Sequence, residues 1–320
     1  MAWLAGLLLI GFSMRVLVSN TEPLKKLLGM PLWTWALLFP LALGNIALTA
    51  WRMAMSMVQA GAARIGAREW FRIVAVGQFL NVLLPQLGNV YRGVALKHQH
   101  GVAYFTYSTG LFTFVLLDTL TTLLLGLVAV ALLAPGLHFG AQPVLPIMGL
   151  GMLALLAAPS IAMRITLLLK PQSGLLLKLR DLSARLLSVV ASSLKVPRFL
   201  GGFALVNLLA LVAQASLLWV CFRAAGLPID APHAALFHVV IKLSNVIILT
   251  PGNLGITELA FGALGIGTQG GSLQHGIAAA LAFRALNTLV VITLGLSLGG
   301  VRLIRSTRAA ATTTERSPHA

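Results

Sequence analysis

Long apolar segments divide this sequence and leave few ways for it to fold. A helix needs about 20 apolar residues to cross the hydrocarbon core of a bilayer, and six segments approach or exceed that length. Because only helices and closed barrels satisfy their backbone groups inside a membrane, helix-length apolar runs predict an all-α polytopic membrane protein with about six full spans. The predicted spans are Met1–Val18, Pro31–Trp51, Tyr104–Leu133, Val144–Met163, Phe199–Phe222 and Gly276–Val301.

The scarcity of charge excludes a soluble fold. Asp, Glu, Lys and Arg together make up 9% of the chain and hydrophobic residues make up 58%, whereas soluble proteins carry about 25% charged residues. The chain therefore lacks the polar surface that a water-exposed domain needs. Its single cysteine, Cys221, excludes an internal disulfide.

The remaining charge is strongly basic, with 23 Lys and Arg against 7 Asp and Glu. The basic residues lie between apolar spans, without a nucleic-acid-binding motif, so no nucleic acid partner is expected. Loops rich in Lys and Arg face the cytoplasm, which predicts a multi-pass protein of the cell inner membrane with both termini cytoplasmic. Lys25 and Lys26 fall on the outer side in this scheme and oppose it.

The organisation predicted is a single transmembrane domain over residues 1–308, followed by a disordered cytoplasmic tail at 309–320. Residues 164–198 carry a basic, partly apolar pattern and are predicted to lie as a cytoplasmic interfacial segment on anionic lipid. Arg64, Arg68 and Arg72 recur every fourth residue and predict a second basic helix face at the membrane surface.

Two further apolar segments, near 71–92 and 234–266, are interrupted and too short to span as single helices. Each is predicted to form a re-entrant, broken helical hairpin, one entering from each face of the membrane. Such irregular backbone is tolerated at membrane depth only inside protein or around a wet cavity. The residues at the breaks, predicted to line a site, are Pro85, Gly88 and Asn89 in the first, and Pro251, Gly252, Asn253 and Gly255 in the second.

The two breaks resemble each other. One reads NVLLPQLGNVYR from Asn81 to Arg92, and the other reads NVIILTPGNLGITE from Asn245 to Glu258. Paired discontinuous helices in inverted repeats place transport sites near the membrane midplane, so a possible inverted repeat is predicted. Chance similarity between two Pro- and Gly-interrupted helices is the alternative.

The PQLGNVYR and PGNLGITE segments resemble those of the transmembrane flippase domain of lysylphosphatidylglycerol synthases and its stand-alone relatives. That family shows a Pro-Gly-Arg-Leu-Gly-Glu-like element with a following Arg, and later a Pro-Gly-Gly-Leu-Gly-x-x-Glu element. Resemblance extends to an Asp in the third span and an Arg in the last span, and covers nearly the whole chain. The matching positions are Pro85, Leu87, Gly88, Arg92, Asp118, Pro251, Gly252, Leu254, Gly255, Glu258 and Arg284.

The sequence departs from the family at several positions. Gln86 stands where the family usually has Gly, and Asn89 where it often has an acid. Phe114 and Val115 replace a Glu-Arg pair found in many relatives. A different headgroup specificity is therefore open, and without a recognisable aminoacyl-transferring domain, lipid lysinylation is not expected.

Four charged residues are singled out because a charge inside a bilayer is costly and needs a partner or a wet cavity. Arg92 and Arg284 are predicted to bind a headgroup phosphate, since guanidinium matches phosphate bidentately. Asp118 and Glu258 are predicted to balance charge or gate. The alternatives are a helix-packing role for Asp118, a buried structural pair for Glu258 and Arg284, and a cytoplasmic anchor for Arg92. Lys242 is a weaker candidate because its long stem permits snorkelling.

The resemblance and these charges together favour a flippase-like translocase that moves an anionic lipid, such as a polyprenyl-phosphate-linked sugar or a phospholipid. The alternative is a non-transporting scaffold that binds lipid and an envelope glycosyltransferase or lipid-modifying enzyme. Expected partners are thus an anionic lipid substrate, the bilayer and enzymes of envelope lipid or glycan synthesis. No enzymatic activity, cofactor or metal is expected, because no nucleotide-binding, nucleophile or metal-ligand motif is recognisable.

Overall fold

The computed structural model describes most of the chain between its terminal segments. It covers residues 29–84, 86–136, 138–139, 142–168, 195–246, 256–268 and 270–300, together with 15, 22, 25, 26, 181, 184, 187–189 and 191–193. The residues outside the described part include the predicted span Met1–Val18 except Arg15, most of the predicted interfacial segment 164–198 and the predicted tail 309–320.

The described part is mostly helical, with one two-stranded hairpin whose register places His138 opposite Pro143. Gly101 ends one helix in the left-handed conformation, and Pro197 begins another at a position suited to its missing N–H. The elements are α1 (Leu32–Gln59), α2 (Ala67–Leu83), α3 (Leu87–His100), α4 (Tyr104–Leu133), β1 (His138–Phe139), β2 (Gln142–Pro143), α5 (Val144–Leu168), α6 (Pro197–Ala224), α7 (Ala231–Val246), α8 (Ile256–Gly267) and α9 (Leu273–Gly295), which continues into a π-helical turn (Leu296–Gly300).

Four helices within the described residues, α1, α4, α6 and α9, are long and apolar enough to cross a membrane. The bounds of α4 agree with its predicted span, but α1 continues to Gln59, eight residues beyond the predicted end at Trp51. The helix α5 begins where predicted, at Val144, and continues for 25 residues to Leu168, past the predicted end at Met163.

The long helices expose apolar side chains along one face. On α6, Leu205, Leu209 and Val212 are 60%, 52% and 54% exposed, and their spacing of four and three residues aligns them in one stripe. Apolar faces of this kind would aggregate in water but are suited to lipid tails. The chain is therefore a multi-pass membrane protein.

The order of elements repeats. A long helix (α1) is followed by two short helices that pack on each other (α2 and α3) and by another long helix (α4). The same order recurs as α6, then α7 and α8, then α9. The two pairs of short helices contain the segments predicted to be re-entrant.

The last long helix, α9, contacts both short-helix pairs. Near its beginning, Gly276 packs so closely on α8 that an added Cβ would lie 2.0 Å from the backbone oxygen of Phe261. At its end, Gly295 packs against the ring of Phe79 on α2, where an added Cβ would lie 2.3 Å away. Small residues thus let α9 approach both partners, as is common in membrane helix packing.

Candidate functional site

The first break lies between α2 and α3. Leu84 is extended, and Gln86 adopts the left-handed conformation with φ of 64°. Pro85 itself lies outside the described residues. The backbone N–H of Gly88 lies in the first turn of α3, where it has no partner within the helix. It donates a 2.7 Å hydrogen bond to Asn81 Oδ1 on α2.

Two glycines set the closeness of α2 and α3. A Cβ added to Gly88 would lie 1.8 Å from the backbone oxygen of Gly77, a distance that no side chain tolerates. A Cβ added to Gly77 would in turn lie 2.4 Å from Arg92 Nε. The absence of side chains here therefore allows the backbones to meet and makes room for the guanidinium.

Arg92 is buried between these helices, with 8% of its surface exposed. Nη1 donates to Asn89 Oδ1 at 2.8 Å, and Nη2 donates to the backbone oxygen of Val74 at 3.4 Å. Nε is buried without a hydrogen-bond partner, and no described carboxylate forms an ion pair with Arg92. The hydroxyl of Tyr107 on α4 donates to the backbone oxygen of Asn89 at 2.8 Å and holds this turn in place.

Asp118 is the centre of a second buried group. Its two carboxylate oxygens contact different cations, Arg52 on α1 and Lys242 on α7. The side chains of Asp118 and Arg52 are 3% and 4% exposed, and that of Lys242 is 27% exposed. One acid therefore joins three helices and faces two cations.

Asn207 on α6 completes this group. Its Oδ1 accepts a hydrogen bond from Arg52 Nη1, and its Nδ2 donates to the hydroxyls of Thr121 and Thr122 on α4. His238, one turn before Lys242 on α7, has its Nδ1 buried without a partner in the described structure. These five side chains, Arg52, Asp118, Asn207, His238 and Lys242, are named the Asp118 cluster below.

Glu258 and Arg284 form a third charged group between α8 and α9. Arg284 Nε lies 2.9 Å from Glu258 Oε1, and Nη2 donates to Oε2 at 3.4 Å. Glu258 is 2% exposed, whereas the side chain of Arg284 is 22% exposed. Glu258 and Arg284 thus form the buried pair that was the alternative to a phosphate-binding role. The residues predicted to line the second break, Pro251, Gly252, Asn253 and Gly255, lie outside the described residues.

The three charged groups are separate. Tyr107, which binds the Arg92 turn, precedes Asp118 by eleven residues on α4, which corresponds to about 16 Å along the helix. Within the described residues, no hydrogen bond or ion pair joins Arg92, Asp118 and Glu258 to one another. The four predicted charged residues therefore lie in three separate groups: Arg92 at the first break, Asp118 in its cluster, and Glu258 paired with Arg284.

The cavities among the described residues include two apolar ones, and none of the charged residues above lines either of them. One, of about 370 Å³, lies among α4, α5, α7 and α8. The other, of about 600 Å³, lies between α1 and α9 and is lined by Trp35, Phe39 and Leu289, among others. Both volumes fall within the range of small-molecule sites.

The predicted basic helix face is only partly formed, because Arg64 precedes the start of α2 at Ala67, and it is partly neutralised. Arg72 pairs with Glu69 and also donates to Gln99 on α3, while Arg64 and Arg68 are exposed. The hydrogen bond from Arg72 holds the pKa of Glu69 below its usual value, against the opposing effect of partial burial. Arg72 therefore contributes to the contact between α2 and α3.

Sequence reasoning missed most of the Asp118 cluster. Arg52 directly follows the predicted end of the second span at Trp51, whereas the structure places it inside α1, 3% exposed and paired with Asp118. The signal was available, because the buried apolar positions Ile46, Ala50, Met53 and Met57 continue the helical spacing past Arg52. Asn207 and His238 carried no such signal. In the described structure, no three His, Cys, Asp or Glu residues group as they would around a metal ion.

Comparison with known proteins adds one finding. The sequence model of the family described as the lysylphosphatidylglycerol synthase TM region matches residues 3–295 of the chain. No curated protein and no solved structure gives a match.

Proposed function

The chain belongs to the lysylphosphatidylglycerol synthase TM-region family, and on that premise we propose that it is a flippase-like translocase of the cell inner membrane. Its cargo is an anionic lipid, such as a polyprenyl-phosphate-linked sugar or a phospholipid. Family membership connects the chain with lipid handling in a membrane; the movement of lipid between leaflets is the step proposed here.

Arg92 carries this proposal. It is a buried guanidinium whose described contacts are an amide and a backbone carbonyl, both neutral. A buried cation without a counter-charge is costly in a membrane, so an anion that reaches it is bound strongly. A lipid phosphate supplies two oxygens in the geometry that guanidinium prefers.

The arrangement of helices supports an alternating-access mechanism. The order of a long helix, two packed short helices and a long helix occurs twice, as an inverted repeat requires. In this mechanism the two short-helix pairs enter from opposite faces, and the headgroup passes between them while its tails remain in the bilayer.

Arg284 is the second phosphate-binding residue in this proposal. Its ion pair with Glu258 leaves the side chain 22% exposed, and an incoming phosphate competes with the carboxylate for the guanidinium. Glu258 thus neutralises Arg284 when no lipid headgroup is bound there. Asp118 balances charge between the two phosphate-binding residues, Arg92 and Arg284. No bond is made or broken, so the activity is transport and not enzymatic.

The test is headgroup accessibility in liposomes that contain the purified protein. A fluorescent phosphatidylglycerol analogue is placed in both leaflets, and a membrane-impermeant quencher reports the fraction that reaches the outer leaflet. We expect quenching beyond one half with the protein, and a loss of this movement in Arg92→Gln. Arg68→Gln, which removes an exposed Arg from the same helix pair, is the matched control and should move lipid normally.

If the wild-type protein moves neither phosphatidylglycerol nor a polyprenyl-phosphate analogue, transport is wrong. The scaffold function then applies, with an envelope glycosyltransferase or lipid-modifying enzyme as the partner. If Arg92→Gln and Arg68→Gln move lipid at equal rates, the transport proposal stands but Arg92 is not part of the binding site.

A further inference from the structure

The Asp118 cluster holds more positive than negative charge. Arg52 and Lys242 both contact Asp118, and no other described carboxylate contacts either of them. With His238 neutral, the cluster carries one excess positive charge. A buried excess charge is unfavourable unless a counter-ion reaches it.

Lys242 is the cation that a ligand is able to reach. Arg52 is enclosed by four partners, namely the side chains of Asp118, Asn207 and Thr49 and the backbone oxygen of Leu48. Lys242 has Asp118 as its described partner and keeps 27% of its side chain exposed. An ammonium has three donors, so Lys242 retains donors for a second anion while bound to Asp118.

His238 adds an unused polar atom near Lys242. The two residues are four apart on α7 and therefore lie on the same side of the helix. His238 Nδ1 is buried without a partner within the described residues. Buried polar atoms are almost always hydrogen-bonded, so this nitrogen is available to bind a ligand atom that approaches Lys242.

An apolar cavity lies against the same helix. Neither Lys242 nor His238 lines it, but Val239, which does, is about 60° from Lys242 around the helix. The cavity wall on α7 consists of Leu236, Val239, Val240 and Leu243, and Lys242 lies between Val239 and Leu243 in the chain. The opposite walls, on α4, α5 and α8, are also apolar, and the volume is about 370 Å³. Such a space is unsuited to water and suited to a hydrocarbon chain.

We propose that Lys242 binds the phosphate of an anionic lipid, with His238 as its neighbour and one lipid chain in the adjoining cavity. This site deepens the proposed function, because it is a further headgroup-binding position about 16 Å along α4 from the Arg92 turn. Cation and cavity together select an amphiphile with a phosphate head over free phosphate.

The experiment measures lipid binding directly, by native mass spectrometry of the full chain in detergent. The probes are phosphatidylglycerol, phosphatidylcholine and inorganic phosphate. We expect phosphatidylglycerol to bind in preference to phosphatidylcholine, and Lys242→Gln to weaken that binding at least tenfold. Lys242→Arg, which keeps the charge, should retain it. Millimolar inorganic phosphate should not displace the lipid.

Folding and binding are separable in these variants. Lys242→Gln leaves Asp118 paired with Arg52, so its thermal midpoint should stay near that of the wild type. A second variant tests the cavity: Gly151 lines it, and a Cβ added there meets nothing within 4 Å. Gly151→Leu should weaken lipid binding, whereas Gly149→Leu, also in open space but outside the lining, should not.

Two outcomes would overturn the site. The first is equal phosphatidylglycerol affinity in the wild type and Lys242→Gln. The second is that inorganic phosphate displaces the bound lipid while Gly151→Leu has no effect on lipid binding, which would identify a site for free phosphate. The transport proposal is decided independently. If the wild-type protein moves lipid but Lys242→Gln binds phosphatidylglycerol as the wild type does, only the Lys242 site is wrong. If binding depends on Lys242 but no lipid moves, only the transport proposal is wrong.

Discussion

Asn89 and Arg92 lie one turn apart on α3, and the side-chain oxygen of Asn89 accepts a 2.8 Å hydrogen bond from Arg92 Nη1. The family to which the chain belongs often has an acidic residue at the position of Asn89. An acid there would form an ion pair with the guanidinium, whereas the amide binds it and leaves its charge uncompensated. The substitution of a single atom thus decides how much positive charge the first break presents.

Asn89→Asp should therefore stabilise the protein and impair transport. The new ion pair is expected to raise the free energy of unfolding by about 1 kcal/mol and to slow lipid movement about tenfold, because the lipid phosphate then competes with a carboxylate. Denaturant titration and the liposome assay measure the two effects. Asn89→Ser keeps the site uncharged and is the control. Wild-type transport by Asn89→Asp would show that the free charge of Arg92 is unimportant.

Gly88→Ala should disrupt the contact between α2 and α3. The added Cβ would lie 1.8 Å from the backbone oxygen of Gly77, and since backbone must move to relieve this clash, we expect a loss of about 2–3 kcal/mol. Gly44→Ala makes the same change inside α1, where nothing lies within 4 Å, and should be neutral or slightly stabilising. Equal thermal midpoints in the two variants would contradict the close approach.

Gln86 is the single non-glycine residue with positive φ in the described structure. The left-handed conformation costs a residue with a side chain about 1–2 kcal/mol, so Gln86→Gly should be tolerated or stabilising. Gln86→Val should be destabilising by more, because a branched Cβ fits this conformation worst. Thermal midpoints of the two variants provide the measurement. A more stable Val variant would mean that the turn is not left-handed.

Asp118→Asn should be among the most damaging single changes. It leaves Arg52 and Lys242 without a counter-charge, and breaking a buried ion pair in this way costs about 3–5 kcal/mol. The matched control is Thr119→Val. It replaces a buried hydroxyl that bonds only the backbone oxygen of Val115 on its own helix, and should cost less than about 1 kcal/mol. Similar unfolding curves for the two variants would show that Asp118 is not the counter-ion of the cluster.

The helices were largely predictable, because apolar length alone determines what crosses a bilayer. The run from Tyr104 to Leu133 has no internal Pro and ends before Ala134, and the helix has those bounds. The predicted end at Trp51 was wrong, because a single Arg was taken as the end of the apolar run. Arg52 continues the helix inward, where Asp118 compensates its charge.

The partners of the charged residues were less predictable. Glu258 and Arg284 were considered as a pair because they are opposite charges in the second hairpin and the final span, and they do pair. The contact of Lys242 with Asp118 joins residues far apart in the chain and depends on how α7 packs on α4. Spacing along one helix carries no information about such contacts, so snorkelling remained the simpler expectation for a lone lysine.

The packing of α9 has a mechanical consequence. Its 23 residues form a single rod of about 34 Å, with Gly276 against α8 near one end and Gly295 against α2 at the other. Because these glycine contacts pack α9 closely on both short-helix pairs, we expect α9 to tilt when either pair moves. In the proposed transport cycle, such a tilt would couple the movement of one short-helix pair to that of the other.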